Sequence, residues 1–307
     1  MDRRAAWVIG LVFGGLFLCL FAFLALAWIA IHSGRAPGLA RGERVGVVEV
    51  TGVIADSKTT LKELREFGDS DSIRAIVVRV DSPGGSVGPS QEIYEAIKRL
   101  RDKKHVLVSM GSIAASGGFY IACAGEKVYA NPGTLTGSIG VIAEFPNVSG
   151  LLKWAGVNMQ TVTAGRMKDS GSPFREMTPD ERAYFQSTLE DVHQQFISAV
   201  ATGRSVPEAE VRKVADGRIF TGRKAKELKL VDELGGLQDT VREAGKLAGI
   251  RGEPRIEYPQ KERPFVRQLF GDDAETVVHG LASRVGEVLG RPGFQFLMPS
   301  VGTGQEP

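Results

Sequence analysis

Hydrophobic positions along the chain fall into three regimes. Residues 5–31 are apolar throughout and carry no charged side chain. A soluble helix keeps a polar face, and this run exceeds the roughly 20 residues that cross a bilayer core. It predicts an uncleaved transmembrane signal-anchor behind a short flank, 1–4. A cleaved signal peptide is the alternative, because Ala25-Leu26-Ala27 reads as an A-x-A site. The apolar stretch is, however, longer than the about 7–15 residues of an h-region. Arg3 and Arg4 precede the span, partly offset by Asp2, and Arg35, Arg41 and Arg44 follow it. The positive-inside rule therefore discriminates little, and an outward-facing body is the expected orientation.

A Gly/Pro-containing linker, 32–44, leads into the second regime, 45–250. Val45–Ile54 is rich in β-branched residues and predicts a strand. Lys58–Phe67 has helical spacing. Ile73–Val80 is a near-continuous apolar run, as a buried parallel strand would be. The turn Asp81–Ser86 precedes a helix over Gln91–Arg101, with Ile93, Tyr94, Ile97 and Leu100 on one face. Val106–Met110 predicts a strand, Gly111–Gly118 a small-residue loop, Phe119–Ala124 a helix and Lys127–Ala130 a strand. This alternation predicts an α/β fold with a mainly parallel sheet. A long amphipathic helix is expected over Thr178–Ala201, opened by a threonine cap, Pro179 and the acids Asp180 and Glu181. Shorter helices are expected over Glu208–Val214, Gly222–Leu228 and Leu237–Ala248. The third regime, 251–307, is broken by Pro254, Pro259 and Pro264 and reads as a tail or packing arm, with a helix over Ala274–Leu289.

Composition narrows the functional classes. Thirty-eight basic against 36 acidic residues leave a net charge of +2, so no basic surplus argues for nucleic-acid binding. The two cysteines, Cys19 and Cys123, exclude a disulfide framework and a multi-cysteine zinc site. Cys123, in IACAG, reads as core.

Two glycine-rich turns follow predicted strands, at 81–87 and 111–120, where open α/β sheets gather their ligand sites. Neither matches the phosphate-binding patterns GxxxxGK[ST] or GxGxxG. An acyl-transfer site is the better expectation. Ser116 follows a strand, opens a helix and has small neighbours, and the Gly117 N–H lies where an oxyanion would sit. The turn at Gly84-Gly85 could supply a second donor. Taken alone, a serine before two glycines is more often a turn or a cap, and Ala114 departs from the G-x-S-x-G elbow. None of the four histidines, His32, His105, His193 and His279, is placed for a Ser-His-Asp triad. A lysine base, which must be desolvated or near another cation, is the remaining variant. Lys168 is a candidate, though the chemistry alone does not select it from the other lysines.

Five segments carry a resemblance: VDSPGGSV at 80–87, GSIAASGGFYIA at 111–122, NPGTLTGSIGV at 131–141, GRMKDSGSPFREMT at 165–178 and DGRIFTGRKAKELKLVDELGGL at 216–237. Together they resemble the short bacterial form of the signal peptide peptidase A family. The resemblance implies a Clp-protease/crotonase-like α/β fold and a membrane serine endopeptidase. Ser116 matches the nucleophile, Lys168 the general base, and Ser138 the serine that orients that lysine. Gly85 and Gly117 match the oxyanion-hole positions, with Gly84 a neighbouring possibility. Phe119 stands where family members often carry tyrosine. The resemblance further implies a homo-oligomeric ring, an octamer, with the dyad shared between adjacent subunits. It implies no metal or organic cofactor, signal-peptide remnants as substrates, and a bacterial inner-membrane location with an extracytoplasmic catalytic domain. Two other readings stand beside it: a crotonase-type acyl-CoA enzyme, and a catalytically silent membrane scaffold.

Overall fold

The computed structural model describes residues 43–260, the backbone of 295–297, and Phe17, Leu18, Leu20, Phe21, Ala22 and Leu24. Most of the expected span, Cys19, His32, the expected helix over 274–289 and His279 lie outside the described residues. The chain divides into two units, 1–42 and 43–307. In the first, the six described residues are helical, and the five large apolar ones among them are exposed. Among the described residues no helix is long and apolar enough to cross a membrane.

The second unit is a three-layer α/β/α body. Its sheet runs β7-β6-β4-β2-β1-β9, with β5 pairing β4 and β8 beside it. The central strands are β1 (Arg44–Thr51), β2 (Ile73–Ser82) and β4 (His105–Ala115), mutually parallel. Shorter strands complete it: β5 (Val128–Ala130), β6 (Leu135–Gly137), β7 (Ile219–Thr221), β8 (Glu233–Leu234) and β9 (Arg255–Glu257). The β6–β7 pair is antiparallel.

Side chains alternate across a strand with period two, and this splits the apolar runs between two cores. Val48, Val50, Ile76, Val78, Val80, Val106, Val108 and Met110 face the larger one. It is covered by α1 (Lys58–Asp69), α2 (Val87–Arg101), α3 (Gly117–Ala122) and the last third of α5 (Pro179–Arg204). Val45, Val47, Ala75, Val77 and Leu107 face the smaller core, under α8 (Leu237–Leu247). A sheet buried on both faces explains why its strands read as continuous rather than alternating apolar runs.

Three departures from expectation bear on the site. The segment expected as a loop, Gly111–Gly118, instead continues β4 to Ala115 and then turns directly into α3. The continuation pairs Ile113, Ala114 and Ala115 with β6, and Ala114 with Ser82 of β2. Small residues there let neighbouring chains close in: a Cβ on Gly111 would lie 2.5 Å from the Asp81 carboxyl carbon. The second departure is β3 (Gly84–Ser86), a short strand within the expected turn. The third is β9, which joins the sheet beside β1 although the tail was expected to begin at 251.

α5 opens as its sequence predicts. Thr178 Oγ1 accepts the Glu181 N–H at 3.3 Å, and Glu181 accepts the Thr178 N–H at 2.9 Å, a reciprocal capping box with Pro179 in the first turn. Two further helices, α6 (Glu208–Arg212) and α7 (Gly222–Glu227), follow it. A short helix, α4 (Ser149–Trp154), precedes it on a stretch where Phe145, Leu151, Trp154, Val157, Met159, Val162 and Phe174 are exposed.

Candidate active site

Ser116 sits between β4 and α3 with φ +52° and ψ −118°. A serine held there carries strain of about 1–3 kcal/mol, tolerated only where the surroundings over-determine it. Its backbone is fixed on both sides: its N–H donates to Gly137 O at 2.8 Å, and its carbonyl accepts from Tyr120 N at 2.8 Å. The residue is fully buried, and its hydroxyl has no hydrogen-bond partner among the described residues. An unpaired buried hydroxyl costs stability, so it is a feature that function rather than folding explains.

Donors gather around it. Gly117 is the first residue of α3, where no intrahelical carbonyl can take the N–H. A Cβ on Gly118 would lie 2.8 Å from Ser82 O, so α3 starts hard against the end of β2. Beyond that end, Ile54 N donates to Gly84 O at 2.9 Å and Ser86 N to Ile54 O at 2.8 Å. Alternation along β3 then turns the Gly85 N–H and carbonyl away from Ile54, towards the other edge. On that edge lies β10 (Gln295–Leu297), antiparallel, with Phe296 opposite Gly85. The β3 edge therefore accepts an extended chain.

The site is held from beneath by aromatic packing. The rings of Tyr94, Tyr120 and Phe196 follow one another at 4.9 and 5.1 Å, tying α2, α3 and α5 together. Phe119 is completely buried, and a phenyl ring there leaves no polar group to satisfy. Cys123, just after α3, is a buried free thiol whose pKa burial pushes up to about 12, as expected of a core residue.

Ser138 is buried beside this cluster, also left-handed at φ +51°. Its N–H donates to Arg218 O at 2.8 Å. The Gly137 contact and the β4–β6 register place it next to Ser116. The structure thus gathers Ser116, Gly117, Ser138 and Gly85 at the carboxyl end of the sheet, where α/β folds keep their ligand sites.

Among the described residues the Lys168 side chain makes no hydrogen bond or ion pair to any of them. The residue lies in a run of turns, with Lys168 N donating to Gly165 O at 3.1 Å, and its side chain is exposed. Neither described histidine is joined to Ser116 by a hydrogen bond. His105 starts β4, the length of the strand from Ser116, and pairs with Glu126 at 3.0 Å. His193 lies on α5. Among the described residues no cluster of His, Cys, Asp or Glu could hold a metal.

Comparison with known proteins identifies the family. The Peptidase family S49 model matches residues 98–251, and the Clp protease model matches 47–135. The chain is 42% identical over 236 residues to a protein of Synechocystis sp. named as a protease, covering 76% of this chain and 85% of that one. The chain belongs to peptidase family S49. Other S49 relatives include a protein of Enterococcus faecium named as signal peptide peptidase SppA, 30% identical over 76% of this chain and 72% of its own. The Haemophilus influenzae protein named Protease 4 is 30% identical over 78% of this chain and 40% of its own. As an S49 member the chain is a serine endopeptidase with a Clp-protease-like, mostly parallel α/β fold.

One cluster of charged residues escaped the sequence reading. Arg175 joins Asp169 to Glu181, three residues spaced by six that share no periodic element. Only the alternation of charges along 166–182 hinted at it.

Proposed function

We propose that the chain is a membrane-anchored Ser–Lys endopeptidase that degrades signal-peptide remnants. The observation that carries the reading is the buried Ser116 hydroxyl, unpaired among the described residues, at a strained strand–helix junction, followed by the first-turn N–H of Gly117 and near the Gly85 N–H, which is turned away from Ile54. A substrate laid along β3 in the place that β10 takes in the single chain presents its carbonyl carbon to Ser116 Oγ, a recurring mode of peptide recognition. Lys168 takes the hydroxyl proton as the C–O bond forms, and the two N–H groups stabilise the oxyanion. The same lysine then protonates the departing amine. Water, activated by Lys168, hydrolyses the acyl-enzyme. Ser138 holds the amine in line.

For this chemistry Lys168 must be neutral near pH 7, which requires desolvation. In a single chain its side chain is exposed. The dyad is therefore completed between copies, in a ring for which an octamer is the expected size. The exposed apolar side chains of 142–174, Trp154 at 85% and Val162 at 98% among them, support burial of this stretch against a neighbour. The apolar run 5–31 supports anchoring in a bacterial inner membrane, with the catalytic body on the extracytoplasmic side.

The test is covalent labelling of the detergent-solubilised full chain with a fluorophosphonate, followed by peptide mapping. Labelling at Ser116 that is lost in Ser116→Ala and slowed to a measurable residual rate in Lys168→Ala establishes the dyad. Undiminished labelling of Lys168→Ala in rings of native size refutes it.

A further inference from the structure

The segment that carries Lys168 has no strand or helix to hold it. Residues 165–172 are successive turns, closed by Lys168 N to Gly165 O at 3.1 Å, Ser170 N to Met167 O at 3.2 Å and Ser172 N to Asp169 O at 3.2 Å. A base on such a segment needs a clamp, since misplacing a reacting group by about 1 Å costs about 10²-fold in rate.

Arg175 has the connections of a clamp. Its Nε donates to Asp169 Oδ2 at 2.8 Å, and its Nη2 donates to Asp169 O, also at 2.8 Å. Nη2 donates again to Glu181 Oε1 at 2.6 Å, and Nη1 to Glu181 Oε2 at 2.9 Å and to Glu176 O at 3.1 Å. All five guanidinium N–H groups are used, a set no other side chain could match. Two of them seize both the side chain and the backbone of the residue that follows Lys168. Glu181 in turn is buried and belongs to the capping box of α5. The turns are thereby bolted to the first turn of a 26-residue helix whose far end lies in the core. Other ties to this stretch are weaker. The ion pair of Arg166 and Asp180 at 3.2 Å is exposed on both sides, and such pairs contribute little. Val148 N donates to Pro173 O at 2.7 Å, five residues past the lysine.

We propose that Arg175 is a positioning residue for the general base, acting through Asp169 to fix the Lys168 turn against the N-terminus of α5. The inference rests on the Ser116–Lys168 reading above. It assigns Arg175, Asp169 and Glu181 a role in the rate of acylation, not in substrate binding.

The test compares full-length Arg175→Gln with wild type, in each case alone and combined with Lys168→Ala. Measured are the rate of fluorophosphonate labelling at Ser116, kcat and KM on a peptide substrate, and ring size. Arg175→Gln is expected to lower the labelling rate and kcat by about 10²-fold with KM within about twofold. In the Lys168→Ala background it is expected to add nothing, because a group that acts through the lysine has nothing left to position. A wild-type labelling rate in folded Arg175→Gln rings overturns the proposal. So does a fall of the same factor in the Lys168→Ala background, which marks a general structural role. Wild-type labelling by Lys168→Ala alone instead overturns the dyad reading, so the two failures are distinct. If Arg175→Gln does not fold, Asp169→Asn carries the test, since it leaves the Arg175–Glu181–Thr178 contacts intact. It is expected to slow labelling about tenfold, the equivalent of one charge-assisted hydrogen bond, and an unchanged rate overturns the proposal.

Discussion

Gly85 and Ile54 are in backbone-to-backbone contact: a Cβ on Gly85 would lie 2.2 Å from the Ile54 carbonyl oxygen and 2.6 Å from its nitrogen. Neither atom can move without parting the Ile54–β3 ladder. Gly85→Ala should therefore displace β3 and the N–H assigned to the oxyanion. We expect a loss of about 10²-fold or more in kcat, with destabilisation of about 1–3 kcal/mol from overpacking. Peptide turnover beside a urea melt checks both, and full activity in the variant would remove Gly85 from the site.

Ser116 offers a contrast between activity and stability. Its hydroxyl makes no hydrogen bond among the described residues, so Ser116→Ala should abolish cleavage without destabilising the fold. Ser116→Gly should go further. Glycine adopts φ +52° without steric cost, so it should be more stable than Ser116→Ala by about 1 kcal/mol. Urea midpoints at unchanged m-value provide the comparison. A glycine variant less stable than the alanine one would contradict the strain.

Acid should act on the start of α5. Arg175 foremost, with the Thr178 N–H, holds the Glu181 carboxyl down at about 2, against 4.5 ordinarily. A depressed carboxyl adds stability that is fully present above the unfolded value and lost as pH falls through the folded one. The stability difference between wild type and Glu181→Gln should be constant above about pH 5 and shrink between pH 4.5 and 2. Denaturant melts across that range test it, and a difference independent of pH would show that the carboxylate charge contributes nothing.

Cys123 should report unfolding. Burial first of all pushes its thiol up to about 12, so the thiolate that reacts with alkylating agents is scarce at pH 8. A Cys19→Ser chain should resist iodoacetamide when native and take up one equivalent when unfolded. Rapid modification of the native protein would show that the core around α3 opens.

The central strands, the long capped helix and the mainly parallel sheet were legible in the sequence because each obeys a simple period. Ile73–Val80 reads as buried on both sides because it is, and Thr178-Pro179-Asp180-Glu181 carries its own start signal. What was not legible lacks any period. Gly84-Gly85-Ser86 and Leu135-Thr136-Gly137 are strands only through their partners, and the run 111–115 looked like a loop because its residues are small. Tertiary pairing, not local preference, decides such segments. The nucleophile was visible as a possibility, and its selection rested on the resemblance. Lys168 could not be selected by chemistry alone, since desolvation depends on what covers a side chain. Arg175 was invisible for the same reason: its partners are fixed by the path of a loop.

The two residues assigned to the dyad also differ in how firmly the fold holds them. The Ser116 amide is bonded into the sheet at full burial, whereas the Lys168 amide closes an exposed turn. In hydrogen exchange the first should open only with the whole domain, and the second through local fluctuation. Warming such an enzyme would silence it by releasing the base while the nucleophile still sat in a native core, so inactivation would precede melting and reverse on cooling.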